Sequence, residues 1–233
     1  MSHTHSMRQY DEELDRLGGE IAAMGELALR QLERAMQVLQ ALDEEGARAV
    51  IAADAEVDAL EHEIGHDVLR LLALRQPIAR DLREILAALK IAGDVERIGD
   101  LAANAAKRTL KLRQLPVPGL RPRLVDLATL AGELVRDALA AYRSRDADQA
   151  QAVRARDAEL DQRHTGIYRE LIGAMAQDPE LVEGGIHLLF IAKNLERIGD
   201  HATNIAENVW FIVHGELPPD RRSEHPAAAA NRP

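Results

Sequence analysis

The chain has 233 residues, a formal net charge of −10 at neutral pH and no cysteine. The negative charge disfavours a nucleic-acid backbone or an anionic membrane surface as the main partner. Without cysteine there is neither a disulfide nor a thiolate ligand, so any bound metal must be held by oxygen and imidazole groups.

Apolar residues recur at intervals of three or four along most of the chain, which is typical of amphipathic helices. Aromatic residues are only 3% of the chain and alanine is abundant, which favours closely packed helices over sheets. Turn-forming residues interrupt the pattern at 43–46, 76–77, 115–119, 144–146 and 178–179. The pattern therefore predicts six helices, at about 8–42, 46–75, 78–113, 121–144, 147–177 and 180–214.

Long helices joined by short turns lie antiparallel, so each set of three predicts an up-down-up bundle. We expect an all-α protein with two tandem three-helix bundles at 8–114 and 120–215, followed by a disordered tail at 216–233 that lacks a periodic apolar face. No apolar run approaches the roughly 20 residues that cross a bilayer, and the first residues lack the apolar core of a signal peptide. A soluble, cytoplasmic protein is expected.

One segment occurs twice. Residues 91–105, IAGDVERIGDLAANA, return at 191–205 as IAKNLERIGDHATNI, with nine of fifteen positions identical. The chain is therefore a duplication, and the copies keep polar residues that a core would not require. They also keep Gly99 and Gly199, although glycine costs about 1 kcal/mol relative to alanine inside a helix. Such glycines indicate either a close backbone approach or room for a bulky neighbour.

Acidic residues spaced i, i+4 occupy matching places in the two halves, and each pair shares one helix face. The first carboxylate patch consists of Asp54, Asp58, Glu96 and Asp100, and the second consists of Asp157, Asp161, Glu196 and Asp200. A single pair means little, because roughly six would occur by chance at this acid content. Their distance from the predicted turns is more informative. In each half the acids of the two helices lie at nearly equal distances before and after the turn, so an antiparallel hairpin places them side by side.

Four crowded carboxylates repel one another, each i, i+4 pair costing about 0.2–0.5 kcal/mol. Two sources of compensation are open: salt bridges to Arg97 and Arg197, or a metal ion. Oxygen ligands suit Mg, Ca, Mn, Fe or Zn. The heptad pattern, with Val95 and Ile98 in the seam, predicts that the patches face the surface. Asn104 and Asn204 extend the acidic stripes by another four residues and are further candidate ligands.

Other chemistry is poorly represented. His62, His164 and His201 lie near the acids but have no histidine counterpart in the other half. The sequence has no phosphate-binding glycine loop, G-x-S-x-G elbow or H-E-x-x-H motif. A carboxylate-bridged metal enzyme or metal-storage protein of the ferritin-like kind would use two inward Glu-x-x-His pairs, and only Glu63 with His66 has that spacing. A non-enzymatic protein is expected, with a salt-bridged helical scaffold as a further alternative.

The two Glu-Arg-Ile-Gly-Asp copies, the run RQPIARDLR at 75–83 and the run LFIAKNLERIGDHATNIAE at 189–207 closely resemble the PhoU family, accessory proteins of the phosphate-specific transport system. The resemblance covers about residues 8–216. It implies two three-helix bundles that carry multinuclear clusters of divalent or trivalent metal ions, held by E/D-x-x-x-D motifs that correspond here to the two carboxylate patches.

The resemblance also implies a regulatory role. PhoU-like proteins restrain the phosphate-starvation response by linking the phosphate ABC transporter to the sensor kinase PhoR, which acts on the regulator PhoB. Contact with the membrane would then be indirect, through these partners. The residues leave the oligomeric state open, because the second apolar face of each helix suits either the interface between the bundles or a homodimer.

Overall fold

The computed structural model describes residues 2–75 and 79–219, and the predicted all-α fold is confirmed there. The helices are α1 (Ser2–Ala41), α2 (Glu44–Arg75), α3 (Ala79–Leu112), α4 (Arg121–Ser144), α5 (Ala147–Gln177) and α6 (Val182–His214). The largest difference from the prediction is at the start of α1, which begins at Ser2 rather than near residue 8. A short 3-10 helix at Pro179–Leu181 precedes α6, and the other helix ends agree with the prediction within two residues.

Two three-helix bundles, α1–α3 and α4–α6, lie in tandem, and they pack against each other along α3 and α6. These two helices are antiparallel, because Asp94 of α3 contacts His201 of α6 whereas Arg108 of α3 contacts His187. Helix α1 also packs on α4. The halves are therefore related by an approximate two-fold axis that runs between α3 and α6.

The bundles share one hydrophobic core. Side chains from all six helices form a single contiguous cluster of buried residues. The predicted seam of α6 is buried along its whole length: Leu188, Ile191, Leu195, Ile198, Ala202, Ile205, Val209 and Ile212. Burying an aliphatic side chain contributes about 1.5–3 kcal/mol, so the seam is the main force that holds α6 between its neighbours.

Local signals set the ends of the helices. Asp146 caps α5 by accepting a hydrogen bond from the backbone N–H of Gln149 at 2.9 Å. Gly215 ends α6 in the left-handed conformation, with φ of 80°. Beyond it, the guanidinium of buried Arg154 donates to the carbonyl of Pro219 at 3.0 Å. The rest of the predicted tail, 220–233, lies outside the described residues. None of the described helices is both long and apolar enough to cross a lipid bilayer.

Candidate metal centres

The first carboxylate patch lies across the α2–α3 hairpin. Burial raises the pKa of Asp54, and the charges of Asp100 and Asp58 raise it further, while a hydrogen bond from Gln31 opposes them. The Gln31 side chain reaches from α1 and donates to Asp54 Oδ1 at 2.9 Å. These mutual effects show that the register predicted from the turn brings carboxylates of α2 and α3 together.

Glu96 and Asp100 form the α3 side of this patch. Burial raises the pKa of Glu96, and the nearby Asp100 and Asp58 add to the effect. Arg97 lies between the two α3 acids, 3.3 Å from Glu96 and 2.8 Å from Asp100. The predicted salt bridge to this arginine is therefore present, but the Arg97 side chain is 57% exposed. An exposed pair contributes about 0–1 kcal/mol, which is of the same order as the repulsion within the i, i+4 acid pairs.

The second carboxylate patch has the same arrangement on α5 and α6. Burial raises the pKa of Asp200, and Glu196, Asp157 and Asp161 raise it further. The cation paired with this patch is Lys193, whose ammonium lies 2.7 and 2.5 Å from the two oxygens of Glu196. Lysine at 193 has glycine as its counterpart in the first half, so comparison of the copies did not identify it.

Asp157 departs from the prediction that the patches face the surface. It is only 2% exposed, whereas the equivalent Asp54 is half-buried. Gly199 on the facing helix makes room for this burial. A Cβ there would overlap the side chain of Leu160 and lie 3.1 Å from Asp157 Oδ1. The missing side chain therefore leaves space for the side chains of Leu160 and Asp157 against α6.

Gly99 leaves room for neighbouring side chains in the first bundle, and the distances to them are longer than at Gly199. A Cβ there would lie 3.1 Å from Gln31 Oε1, 3.3 Å from Val57 Cγ1 and 3.5 Å from Asp54 Oδ1. Of the two explanations open from the sequence, room for neighbouring side chains is the one observed. The repeated glycine thus leaves room for Asp54 in the first patch and for Asp157 in the second.

The donor set fits hard or borderline cations, because each patch offers four carboxylates and no sulfur. The side chains do not converge on one point: among residues 12–74 and 81–219, whose side chains the structure describes, no three acidic or imidazole groups are grouped closely enough to hold a metal ion. Asp58 and Asp161 are exposed, so their side chains have the space to rotate toward the other members. A metal ion would therefore require a change of rotamer within the patches rather than a change of fold.

The remaining candidates lie in different surroundings. Asn104 is exposed. Asn204 donates to Asp94 Oδ1 at 3.1 Å, so its amide points toward α3 of the other bundle rather than only along the acidic face of α6. His201 contacts the same oxygen at 2.8 Å. Sequence reasoning missed Asp94 because its counterpart in the second half is Asn194, which removes the acid from the repeat.

The other two histidines near the acids also differ from each other. The ring of His62 contacts the backbone carbonyl of Asp58 at 2.9 Å rather than its carboxylate. Burial lowers the pKa of His164, against the opposing charges of Glu196 and Asp161. The charges of the second carboxylate patch therefore act directly on His164.

The ferritin-like alternative requires its Glu-x-x-His pair to face a bundle interior. Glu63 and His66 are both exposed on α2. This pair is therefore not arranged as a buried metal centre.

Comparison with known proteins gives concordant results. The family model described as the PhoU domain matches twice, at residues 21–109 and 124–209. A phosphate-specific transport system accessory protein PhoU homolog of Xylella fastidiosa (strain 9a5c) is 49% identical over 95% of this chain and 94% of its own length. A protein of the same description from Rhizobium meliloti (strain 1021) is 42% identical over 95% of this chain and 94% of its own.

Solved structures share the fold. The crystal structure of PhoU from Pseudomonas aeruginosa superposes with a TM-score of 0.85 at 34% identity, over 89% of this chain and all of that chain. The phosphate transport system regulatory protein PhoU from Streptococcus pneumoniae gives a TM-score of 0.83 at 29% identity, over 91% of this chain and all of its own.

Proposed function

The chain belongs to the PhoU family, and from that premise we propose that it is a regulatory accessory protein of phosphate transport. In this role it holds down the phosphate-starvation response while phosphate is plentiful. The observation that carries the proposal is the family match in both halves, together with relatives that are similar over nearly their whole length.

The chain acts as an adaptor rather than an enzyme in this proposal. It passes the state of the phosphate ABC transporter to a PhoR-type sensor kinase in the cytoplasm, and the kinase in turn controls PhoB. Two tandem bundles suit such a role, because their separate surfaces can contact two partners at once. The family likeness supports the adaptor role, and the sequence adds no nucleophile or nucleotide-binding loop that would suggest a reaction.

Metal binding is part of the proposal. Each carboxylate patch would hold a multinuclear cluster, with Asp54, Asp58, Glu96 and Asp100 as ligands in the first and Asp157, Asp161, Glu196 and Asp200 in the second. Asn104 and Asn204 are secondary candidates. Burial and mutual repulsion together raise the pKa of Asp54, Glu96 and Asp200, and a bound cation would neutralise the repulsion. The metal would thereby stabilise the hairpins and set the charge that a partner meets.

A gene deletion tests the regulatory role directly. In the deletion strain, a reporter for the starvation response should be active in phosphate-rich medium, and a plasmid copy of the wild-type gene should silence it. The transporter proteins should still be present by immunoblot. Normal repression in the deletion strain, with no paralogue present, would refute the proposal.

A further inference from the structure

One polar side chain lies within the buried apolar face of α1. Gln31 is only 6% exposed, and its neighbours on that face, Ala28 and Ala35, are fully buried. Its Nε2 donates to Asp54 Oδ1 at 2.9 Å and to the backbone carbonyl of Val50 at 3.4 Å. Gln31 therefore reaches the first carboxylate patch from a third helix, which carries none of the four acids.

The amide oxygen of Gln31 is not used in this arrangement. Oε1 is buried and has no hydrogen-bond partner within the described part of the chain. The reverse orientation of the amide would place Oε1 against the Asp54 carboxylate, and two acceptors repel each other. An unpartnered buried oxygen destabilises the fold, whereas an apolar residue of similar size would not. Packing of the core alone therefore does not account for glutamine at this position.

The unpartnered oxygen lies beside the carboxylate, over Gly99. A Cβ on Gly99 would lie 3.1 Å from Gln31 Oε1 and 3.5 Å from Asp54 Oδ1, so both oxygens border the space that the glycine leaves open. Asp100 follows Gly99 directly along α3. Oxygens from α1 and α2 thus lie next to the acids of α3, and an oxygen-rich setting of this kind suits a hard cation.

The second half of the chain has no such glutamine. Helices α1 and α4 are followed by residues in the left-handed conformation, Leu42 and Arg145. Gln31 lies eleven residues before the first of these, and Leu134 lies eleven residues before the second. Leu134 is fully buried, and its side chain cannot donate a hydrogen bond. Both halves therefore have the carboxylates, but only the first has an amide donor at this position.

Resting on the metal binding proposed above, we propose that Gln31 is a positioning residue of the first carboxylate patch. Its amide N–H groups hold one oxygen of Asp54 and leave the other carboxylate oxygen for the cation. Its Oε1 accepts a hydrogen bond from a water ligand of that cation. Groups that orient the ligands of a metal in this way change its affinity by about 10–100-fold. Metal binding at the first patch should therefore depend on α1.

Proteins that retain one patch each, with Mn²⁺ as the probe, test this assignment. D161N/E196Q retains the first patch, and D58N/E96Q retains the second.

In the protein that retains the first patch, Q31M should weaken Mn²⁺ binding at least tenfold by calorimetry. Methionine has a similar length but cannot hold the Asp54 carboxylate. The same substitution should leave Mn²⁺ binding unchanged in the protein that retains the second patch. Q37M is the matched control, because Gln37 is an exposed glutamine of the same helix, and it should change neither affinity.

Urea unfolding in chelator separates a positioning role from a packing role. The metal-free Q31M variant should unfold at about the same urea concentration as its parent, because water can replace the amide at the half-buried Asp54. Circular dichroism checks the fold of each variant.

Unchanged Mn²⁺ affinity in Q31M overturns the assignment. Weaker binding that is matched by an equal loss of metal-free stability, or that also occurs at the second patch, overturns it as well. The parent protein separates this failure from that of the proposed metal binding. If the folded D161N/E196Q protein binds no Mn²⁺, the first patch is not a metal site and both proposals are wrong. If it binds Mn²⁺ and Q31M binds equally well, only the role of Gln31 is wrong.

Discussion

The two carboxylate patches come from one repeated segment but differ in how tightly they are enclosed. In the first, Asp54 is half-buried and receives a hydrogen bond from Gln31, and Arg97 pairs with both α3 acids. In the second, Asp157 is buried and Lys193 pairs with Glu196. The repeat thus preserves the acids, whereas their burial and their cations depend on neighbours that have diverged. We expect the acid side chains of the second patch to move less freely than those of the first.

The largest difference is expected from alanine at the repeated glycines. Gly199→Ala should destabilise the protein by about 1–3 kcal/mol, the usual cost of overpacking, because the new Cβ overlaps Leu160, which is fully buried and has no room to move. Gly99→Ala should change stability by less than about 1 kcal/mol, since its contacts are looser and alanine improves helix propensity. Urea unfolding measures both. If both alanine variants were destabilised equally, the second patch would not be packed more tightly than the first.

Metal content is the next comparison. Asp58→Asn with Glu96→Gln should remove about half of the bound metal, and Asp161→Asn with Glu196→Gln should remove the other half, because each change eliminates ligands of one patch only. Elemental analysis of the purified proteins measures this. A metal content that neither pair changes would remove these residues from the site. In the metal-loaded form each pair should also lower Tm, since a ligand at 100 times its Kd contributes about 2.7 kcal/mol.

Without metal, the same acids should weaken the fold as pH rises. The folded-state pKa values of Asp54, Glu96 and Asp200 are raised, so the folded protein holds protons that the unfolded chain has already released. The contribution of these three groups to stability is then greatest below the ordinary carboxyl pKa values of 3.8 and 4.5, and it is lost as pH increases through their raised pKa values.

Substitution tests this pH effect. Glu96→Gln and Asp200→Asn should each reduce the pH dependence and slightly stabilise the metal-free protein at neutral pH, by about 0.2–0.5 kcal/mol per relieved i, i+4 pair. Thermal melts in chelator from pH 4 to 7 measure the effect. If the variants lose as much stability in chelator as in metal, the acids serve as salt-bridge partners instead.

The smallest effects should come from the cations. Arg97→Ala and Lys193→Ala each remove an exposed ion pair, so we expect losses below about 1 kcal/mol for the metal-free protein, decreasing further in high salt. Chemical denaturation at two salt concentrations measures them. A loss above 2 kcal/mol at either position would mean that the cation, rather than a metal, balances its patch.

Much of the fold was predictable because it depends on local periodicity. The α6 seam was read from spacing alone and is buried throughout, and the level placement of the acids followed from the lengths of antiparallel helices. The contact of α3 with α6 was not predicted, because spacing shows that a helix has an apolar face but not which helix covers it. For the same reason Gln31, which reaches Asp54 from α1, had no signal in the hairpin that carries the patch.

Details within the candidate site depend on still finer packing. The repeated sequence is compatible with either a half-buried or a buried aspartate, because both halves have glycine at the facing position. Asn204 was placed on an acidic stripe of its own helix, yet its amide donates across the bundle interface. Spacing along one helix could not identify that acceptor, because it lies on another helix.

The contact of Asp94 with His201 has an evolutionary consequence. A single ancestral bundle with the exposed apolar face of α3 would have needed a second copy to cover it, and every contact in such a homodimer occurs twice. Fusion of the two copies into one chain removed that constraint. The positions equivalent to Asp94 and His201 in the other halves are Asn194 and Leu101. The leucine side chain has no hydrogen-bonding group, so the contact is not repeated there. The α3–α6 interface thus contains a polar link without a hydrogen-bonded counterpart at the equivalent position, so the two halves differ in how they contact each other.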